Sequence, residues 1–363
     1  MDVTDKKEFI PPPPEDPIFE DPWKLYTLKD AYAERPPTPY ILSGIFKIPS
    51  LNIIYSAPGD MKTMLMIDLC GCVVAGVPWL PAAPWQPGGE PFKTIKSPVL
   101  WLDFDNGDEE MLPRIEAIGR TLNLPEGAPF YSYIMPQPWL NAGNIEHVSR
   151  VADRAIRLET KLIIIDNLGS VSGGIDENSS QMIQVMSNLR QLSQNSGAAV
   201  VVIHHQRKGN GIKGGRAGDA LRGHSSIEAA INLALHVERS VGSDTINIRS
   251  TKTRGTDVLP FGAVFTFTHK PGTDELETFR FFGLKGSDNS SSAALKREIL
   301  DALRGESLNQ SNLVKVVKDN GIEAGRDRII EMIQRMEINK QIISSEGSRN
   351  AKIYSLPSVS LFP

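Results

Sequence analysis

Leu51-Asn52-Ile53-Ile54-Tyr55-Ser56-Ala57-Pro58-Gly59-Asp60-Met61-Lys62-Thr63-Met64 is the stretch on which the reading of this chain turns. A β-rich apolar run, Leu51–Tyr55, leads through a Pro-Gly turn into Lys-Thr, and an amphipathic stretch, Met64–Ala75, follows. This is the strand–turn–helix context of the phosphate-binding pattern G-x-x-x-x-G-K-[ST], in which backbone N–H groups and a helix N-terminus cradle an anion. Ala57, Pro58, Gly59, Asp60, Met61, Lys62, Thr63 and Met64 are therefore the expected nucleotide-binding residues. Lys62 would reach the β/γ-phosphates, and the Thr63 hydroxyl would hold Mg²⁺. Ser56 and Met61 stand where the pattern has glycine, which leaves the detailed loop geometry open. The alternative is an ordinary turn between a strand and a helix.

Further apolar runs at Val99–Phe104, Leu162–Ile165 and Ala199–Ile203 alternate with amphipathic stretches at Glu109–Leu122, Glu146–Leu158 and Ser179–Ser196. That alternation predicts an α/β fold with a mostly parallel central sheet covered on both faces. Later strands at Ile231–Val237, Thr245–Ser250 and Val264–His269, with Glu275–Phe282 as a hairpin partner, look antiparallel.

Two of the runs end in acids. Lys161-Leu-Ile-Ile-Ile-Asp166 presents Asp166 as a Walker B carboxylate for a Mg²⁺-bound water, although a buried strand can also simply end in Asp. Val99-Leu-Trp-Leu-Asp103-Phe-Asp105 is expected beside the phosphate-loop strand. Alternation would point Asp103 and Asp105 the same way, with Leu102 and Phe104 opposite. Asp105 is the candidate for activating the attacking water and Asp103 the reserve; solvent-facing strand-end carboxylates are the alternative.

Composition bounds the rest. At 363 residues the chain has room for two or three domains, and 40% hydrophobic with 23% charged residues is ordinary globular usage. A net charge of -4 excludes a wholly basic nucleic-acid coat and leaves only a local patch. No apolar run approaches the roughly 18 residues of a membrane span. No signal-peptide core follows the charged N-terminus, so a cytoplasmic location is expected. Cys70 and Cys72 match neither a zinc knuckle nor a CxxC pair and read as packed core thiols. The first 50 residues hold 10 of the 26 prolines, so residues 1–40 read as an extended arm lying over the fold or over a neighbouring subunit.

Residues 41–285 then form the main domain and 286–292, Gly-Ser-Asp-Asn-Ser-Ser-Ser, a linker. Beyond it, helices at Ala293–Arg304, Asn309–Asn320 and Gly325–Asn339 precede a hairpin of Gln341–Ser345 with Lys352–Leu356. That is winged-helix order, giving a C-terminal domain over 293–358. Its 11 basic and 9 acidic residues include Arg328 and Arg335 on the third helix, as candidate DNA contacts. A protein-binding winged helix fits the mixed charge as well.

Taken in order, these motifs resemble the RecA-like ATPases, specifically the RepA-type hexameric replicative helicases and the wider DnaB-like superfamily. The resemblance runs from Ile41 to His269. It includes Ser56–Thr63, Leu102–Gly107, Leu162–Asp166, Val200–His205, the Leu221–Glu228 stretch and Lys252-Thr-Arg254-Gly255. It implies an ATP- and Mg²⁺-dependent motor in a homo-oligomeric, hexameric ring acting on single-stranded DNA, in the replication of a mobile element. In this family a strand-end acid, usually glutamate, is the catalytic base; Asp105 takes that place one methylene shorter. Lys252 and Arg254 correspond to the pair supplied to the neighbouring subunit's γ-phosphate, unless they are merely basic residues on an edge strand.

Adjacent histidines on a strand point apart, so His204 and His205 make a poor metal pair. The resemblance makes His204 a γ-phosphate sensor, while a satisfied strand-end histidine is the plain alternative. The following loop, Gln206–Arg222, holds five basic residues and five glycines. Arg207, Lys208, Lys213 and Arg216 would track a DNA backbone there, or the loop is simply surface. A non-translocating switch (a loader, regulator or defence ATPase docking a partner through its winged helix or proline-rich arm) remains the second reading. A phosphate loop kept only for structure is the third.

Overall fold

The structure is a computed structural model and describes residues 23–86, 88–176, 179–205, 225–255, 258–284, 292–320, 325–338, 341–347 and 352–357. Residues up to Thr38 form one compact unit and those from Pro39 onward a second. In the first, α1 (Leu28–Tyr32) starts at a capping box: the Thr27 hydroxyl accepts from the Asp30 amide and the Asp30 carboxylate accepts from the Thr27 amide.

In the second unit, β1 (Tyr40–Leu42) and β2 (Phe46–Lys47) form a small antiparallel pair ahead of β3 (Ser50–Ser56) and α2 (Lys62–Ala75). There follow β4 (Val99–Asp103), α3 (Asp108–Thr121), β5 (Phe130–Ile134), α4 (Ile145–Arg157), β6 (Leu162–Asp166), α5 (Leu168–Val171), α6 (Met182–Ser196) and β7 (Ala199–His205). After α7 (Ser225–Ala230) come β8 (Leu233–Arg239), β9 (Thr245–Thr253), β10 (Phe261–His269) and β11 (Leu276–Leu284). Among the described residues these strands make a nine-stranded sheet in the order β11-β10-β9-β8-β3-β7-β6-β4-β5. The six strands from β8 to β5 are parallel, and β9, β10 and β11 continue antiparallel. This is the mostly parallel α/β sheet of a RecA-like nucleotide-binding core.

One expected neighbour is wrong. β4 does not lie beside β3; β7 and β6 stand between them. Residues 76–98, which join α2 to β4, are long enough to carry the chain past both strands, and a local apolar run carries no information on strand order.

α2 also departs from the amphipathic expectation. Its residues from Leu65 to Val74 are buried without a break, so it is apolar all round and enclosed. α2 packs in one core with Trp101 and Ile164 of the parallel strands and with Ile248, Phe265, Phe279 and Phe281 of the antiparallel ones. α3 packs close against α2 at Gly71, where a Cβ would meet Ile118 Cγ1 at 2.6 Å. Asp68 of α2 is fully buried and pairs with Arg280 of β11 at 2.5 Å, tying the phosphate-loop helix to the last strand of the sheet. Cys70 and Cys72 are free and buried on the same helix. The other face of the sheet is covered by α4 and α6, whose core includes Val148, Ala152, Val185 and Leu189.

At the C-terminal end, α8 (Ser292–Gly305), β12 (Leu308–Asn309), α9 (Gln310–Asp319), α10 (Arg326–Ile338), β13 (Ile343–Glu346) and β14 (Lys352–Ser355) have a core of their own. The strands form a three-stranded antiparallel sheet in the order β12-β14-β13. No described helix is long and apolar enough to cross a membrane.

Candidate functional site

Parallel strands bring their carboxyl ends to one edge of the sheet, where an open α/β fold holds its ligands. Here the register aligns Ser56 of β3 with His205 of β7, and Asp103 of β4 with Asp166 of β6. The sequence pattern of apolar runs ending in polar residues is thereby converted into a cluster.

Between β3 and α2, Ala57, Pro58 and Gly59 are exposed, whereas Asp60 and Met61 are half-buried. Met61 stands where the motif has glycine and adopts the left-handed conformation glycine would supply, φ 65° and ψ 18°. Such a conformation costs an L-residue roughly 1–2 kcal/mol. The Met61 side chain packs against the α2 core, as does that of Met64, and this apolar anchorage offsets the backbone cost. Gly59 turns at φ 90°. The Leu65 amide, bonded to the Met61 carbonyl at 2.9 Å, opens the helical ladder. By helix geometry the amides before it aim out of the helix start, toward the loop.

Lys62 is buried and folds back over the loop. Its Nζ donates to Ser56 Oγ at 2.9 Å, the Ala57 carbonyl at 3.0 Å and the Ser56 carbonyl at 3.2 Å. Burial pulls its pKa down to about 8, against the opposing pull of Asp60, Asp166 and Asp105.

Thr63 donates its hydroxyl to Asp166 Oδ2 at 2.8 Å. Asp166 is fully buried, and burial pushes its carboxyl up to about 6, with Asp105 and Asp103 adding repulsion and the Thr63 and Asn106 contacts working the other way. Its second oxygen, Oδ1, has no hydrogen-bond partner among the described residues. A buried carboxylate with one bare oxygen beside a threonine hydroxyl fits a hard divalent cation, which would supply the missing countercharge. The carboxylate oxygens of Asp105 and Asp166 and a ring nitrogen of His205 also lie within 4.8 Å of one another.

The two acids of β4 do different work. Asp103 is buried and accepts from the Asn106 amide, the Asn106 side chain at 2.7 Å and the Gly107 amide at 2.9 Å, so it organises the turn after the strand. Asp105 lies beyond the strand end and is exposed. Leu102 and Phe104, expected on one face, are indeed both buried in the core beneath α4. β4 stops at Asp103 and the chain bends, so Asp103 is buried and Asp105 exposed, yet both carboxylates act on Asp166.

Asp105 Oδ2 meets His205 Nε2 at 3.3 Å. His204, the histidine expected at the phosphate, is buried; by alternation it shares the face of Val202, whereas His205 shares that of Ile203 and α2. His205 is thus the histidine that the fold brings to the carboxylates.

Lys252 and Arg254 do not join this cluster. Lys252 is level with Ala234 of β8, which is level with Ile53 of β3, and the Arg254 amide bonds to the Asn232 carbonyl at the strands' amino ends. Arg254 is therefore about 15 Å along the strand direction from the phosphate loop of its own chain. Its guanidinium contacts the Ala229 carbonyl. β10 pairs with β9 only over Thr245–Ile248, so Lys252 has a strand partner on its β8 side alone, and Arg254 follows the end of β9. The expected DNA contacts Arg207, Lys208, Lys213 and Arg216 lie outside the described residues. Arg328 and Arg335 are on α10.

Sequence reasoning missed Arg239, at the end of β8. Its guanidinium lies 4.9 Å from the Phe265 ring centre and contacts the Gly59 carbonyl at 3.5 Å. Nothing local distinguishes this arginine from any other at a hairpin; only the pairing of β8 with β3 brings it to the loop.

Compared with known families, residues 20–211, just over half of the chain, match the family model described as an AAA domain. No curated protein matches the chain.

Proposed function

Because the chain belongs to the AAA domain family of nucleotide-hydrolysing proteins, we propose that it is a P-loop ATPase working as a RecA-like oligomer on single-stranded DNA. In this reading it is a RepA-like helicase or replication factor of a mobile element. The observation that carries the ATPase reading is the convergence of Lys62, Thr63, Asp166 and Asp105 at the carboxyl ends of β3, β4 and β6.

Lys62 exchanges its loop-carbonyl partners for the β/γ-phosphates of ATP, a charge-assisted contact that favours its charged form against burial. Thr63 and Asp166 would hold Mg²⁺, which would supply positive charge against the charge developing on the phosphates. Asp105 accepts the proton of the attacking water, and His205 orients that carboxylate. Lys252 and Arg254, remote from their own loop, serve the ATP of the next subunit and stabilise transition-state charge there.

The DNA assignment rests on the helicase resemblance and on the basic composition of 206–222. The helix–strand–helix–helix–hairpin order and separate core of the C-terminal elements support a winged helix over 293–358, with Arg328 and Arg335 as DNA contacts.

One observation favours the non-translocating switch: the pairing of Asp105 with His205 holds the shorter carboxylate on the protein. Turnover of ATP with and without single-stranded DNA, together with native mass and strand unwinding, separates the two. The motor reading expects a ring and DNA-stimulated turnover with unwinding. Turnover without unwinding supports the switch, and absent nucleotide binding rejects both.

A further inference from the structure

At the carboxyl ends of β4 and β5, on the face of the sheet covered by α4, lies a cavity of about 300 Å³. It is separate from the phosphate loop, and the proposed mechanism makes no use of it. The Phe104 and Trp139 rings, 5.1 Å apart, form an aromatic wall, and Tyr133 of the edge strand β5 adds a third ring, 36% exposed. The Trp139 indole N–H is already satisfied by the Ser170 carbonyl at 2.7 Å, so the ring offers the ligand its apolar surface.

Arg150 and Arg154, one helical turn apart on α4 and both exposed, line the same cavity. Among the described residues neither has a carboxylate partner. His147, one turn earlier, accepts the Asn141 amide at Nδ1 with a distance of 3.3 Å, which leaves Nε2–H as a donor.

Rings and two guanidinium groups that line one cavity, the latter without a carboxylate partner among the described residues, suit a flat ring joined to a phosphate. A purely apolar ligand would leave both arginines unused, and an inorganic anion would leave the rings unused. The volume is at the small end for a ligand site and matches one nucleotide rather than an extended segment. We propose that this pocket binds one nucleotide unit of a single-stranded nucleic acid, with its base against Tyr133 and Trp139 and its phosphate on Arg150 and Arg154. The inference rests on the reading that the protein acts on single strands, and it adds a contact point outside the 206–222 loop and the C-terminal helices.

The pocket is also wired to the ATP site. Phe104 lies between Asp103 and Asp105, and its amide donates to the Asp166 carbonyl at 2.6 Å. Ser170, which holds Trp139, donates its own amide to Asn167 Oδ1 at 3.1 Å, next to Asp166. A base pressing on these rings acts on the loop that carries Asp105.

The test uses the full chain and fluorescently labelled oligo(dT), read by anisotropy across a salt series. Arg150→Gln with Arg154→Gln should weaken binding at least tenfold and flatten the log–log salt slope by about 0.7, the contribution of the one phosphate contact on a single strand that the pair makes. Tyr133→Ala, a change at an exposed side chain, should weaken binding about fivefold or more with the slope unchanged, as loss of stacking requires. ATP turnover without DNA should be unaltered in both variants, while DNA stimulation falls.

Unchanged affinity and slope in the double variant, with wild type binding DNA, would overturn the pocket assignment and leave the functional reading standing. A wild type that binds no DNA at any salt would overturn both. Competition by thymidine monophosphate as strong as that of oligo(dT) would make this a free-nucleotide site and reject the strand. Binding of an oligoglutamate peptide that alone is lost in the double variant would make it a peptide site and reject the proposal likewise.

Discussion

Replacing Asp166 by asparagine should stabilise the nucleotide-free protein, and the gain should depend on pH in a way that identifies its cause. The carboxyl is fully buried, bonded at one oxygen to Thr63 and bare at the other, and burial raises it from 3.8 to about 6. An acid whose folded-state pKa is raised binds its proton more tightly folded than unfolded. The fold therefore carries no penalty below pH ~3.8, loses stability as pH rises from there to about 6, and carries the whole penalty above. A displacement of about two units corresponds to roughly 3 kcal/mol at neutral pH. Asparagine keeps the shape and can still accept from Thr63, so most of that cost should vanish.

Urea denaturation of both proteins in chelator, from pH 4 to pH 8, reads the difference. The variant should be more stable at pH 7–8 by up to about 3 kcal/mol, with the two curves converging toward pH 4. Adding Mg²⁺ at pH 7.5 should stabilise the wild type and leave the variant unmoved. Parallel pH profiles, or a variant less stable at pH 8, would refute the picture of an unneutralised buried carboxylate at the metal position.

Asp105→Asn should still bind Mg-ATP but hydrolyse it roughly 10²-fold more slowly, in single-turnover assays, if this residue takes the water proton. Asp103→Asn should instead act on the Asn106–Gly107 turn and appear as lost stability, because that carboxylate accepts three bonds from its own loop. Gly59→Ala should weaken nucleotide binding about 5- to 30-fold by titration. No atom lies within 4 Å of a Cβ there, and the φ of 90° alone makes alanine costly by roughly 1–2 kcal/mol. Affinity equal to wild type would show that the loop does not depend on this turn.

What the sequence revealed and what it hid follow from the range of the interactions. The strand–loop–helix at 51–75 and the buried run ending at Asp166 are legible because burial on both faces demands unbroken apolar residues, with polar chemistry deferred to the strand end. Strand order is not legible, since β4 carries the same local signal wherever it pairs. β5 escaped because Phe130-Tyr-Ser-Tyr-Ile134 is a half-exposed edge strand rather than an apolar run. The all-round apolarity of Leu65-Met-Ile-Asp-Leu-Cys-Gly-Cys-Val-Val74 was in the sequence as a sign of enclosure. What enclosed it, strands β9 to β11 and the Asp68–Arg280 pair, lies some two hundred residues away. The choice of His205 over His204 needed only the alternation of β7 set against the face that carries α2. Arg239 at the Gly59 carbonyl depends on pairing alone.

In the proposed oligomer each ATP is bound by one chain and its hydrolysis completed by the next. Mixing Arg254→Ala subunits with Lys62→Ala subunits tests it directly, with mixed oligomers verified by native mass. Each variant alone should be inactive: the first should bind nucleotide without turning it over, because an arginine finger contributes roughly 10³ or more to the rate and little to ground-state binding. The second should not bind nucleotide tightly. In mixed oligomers some interfaces combine an intact Lys62 loop with an intact Arg254, so turnover should return. Verified mixed oligomers that remain inactive, with Arg254→Ala losing stability instead, would contradict the account and return Arg254 to its contact with the Ala229 carbonyl as a structural residue.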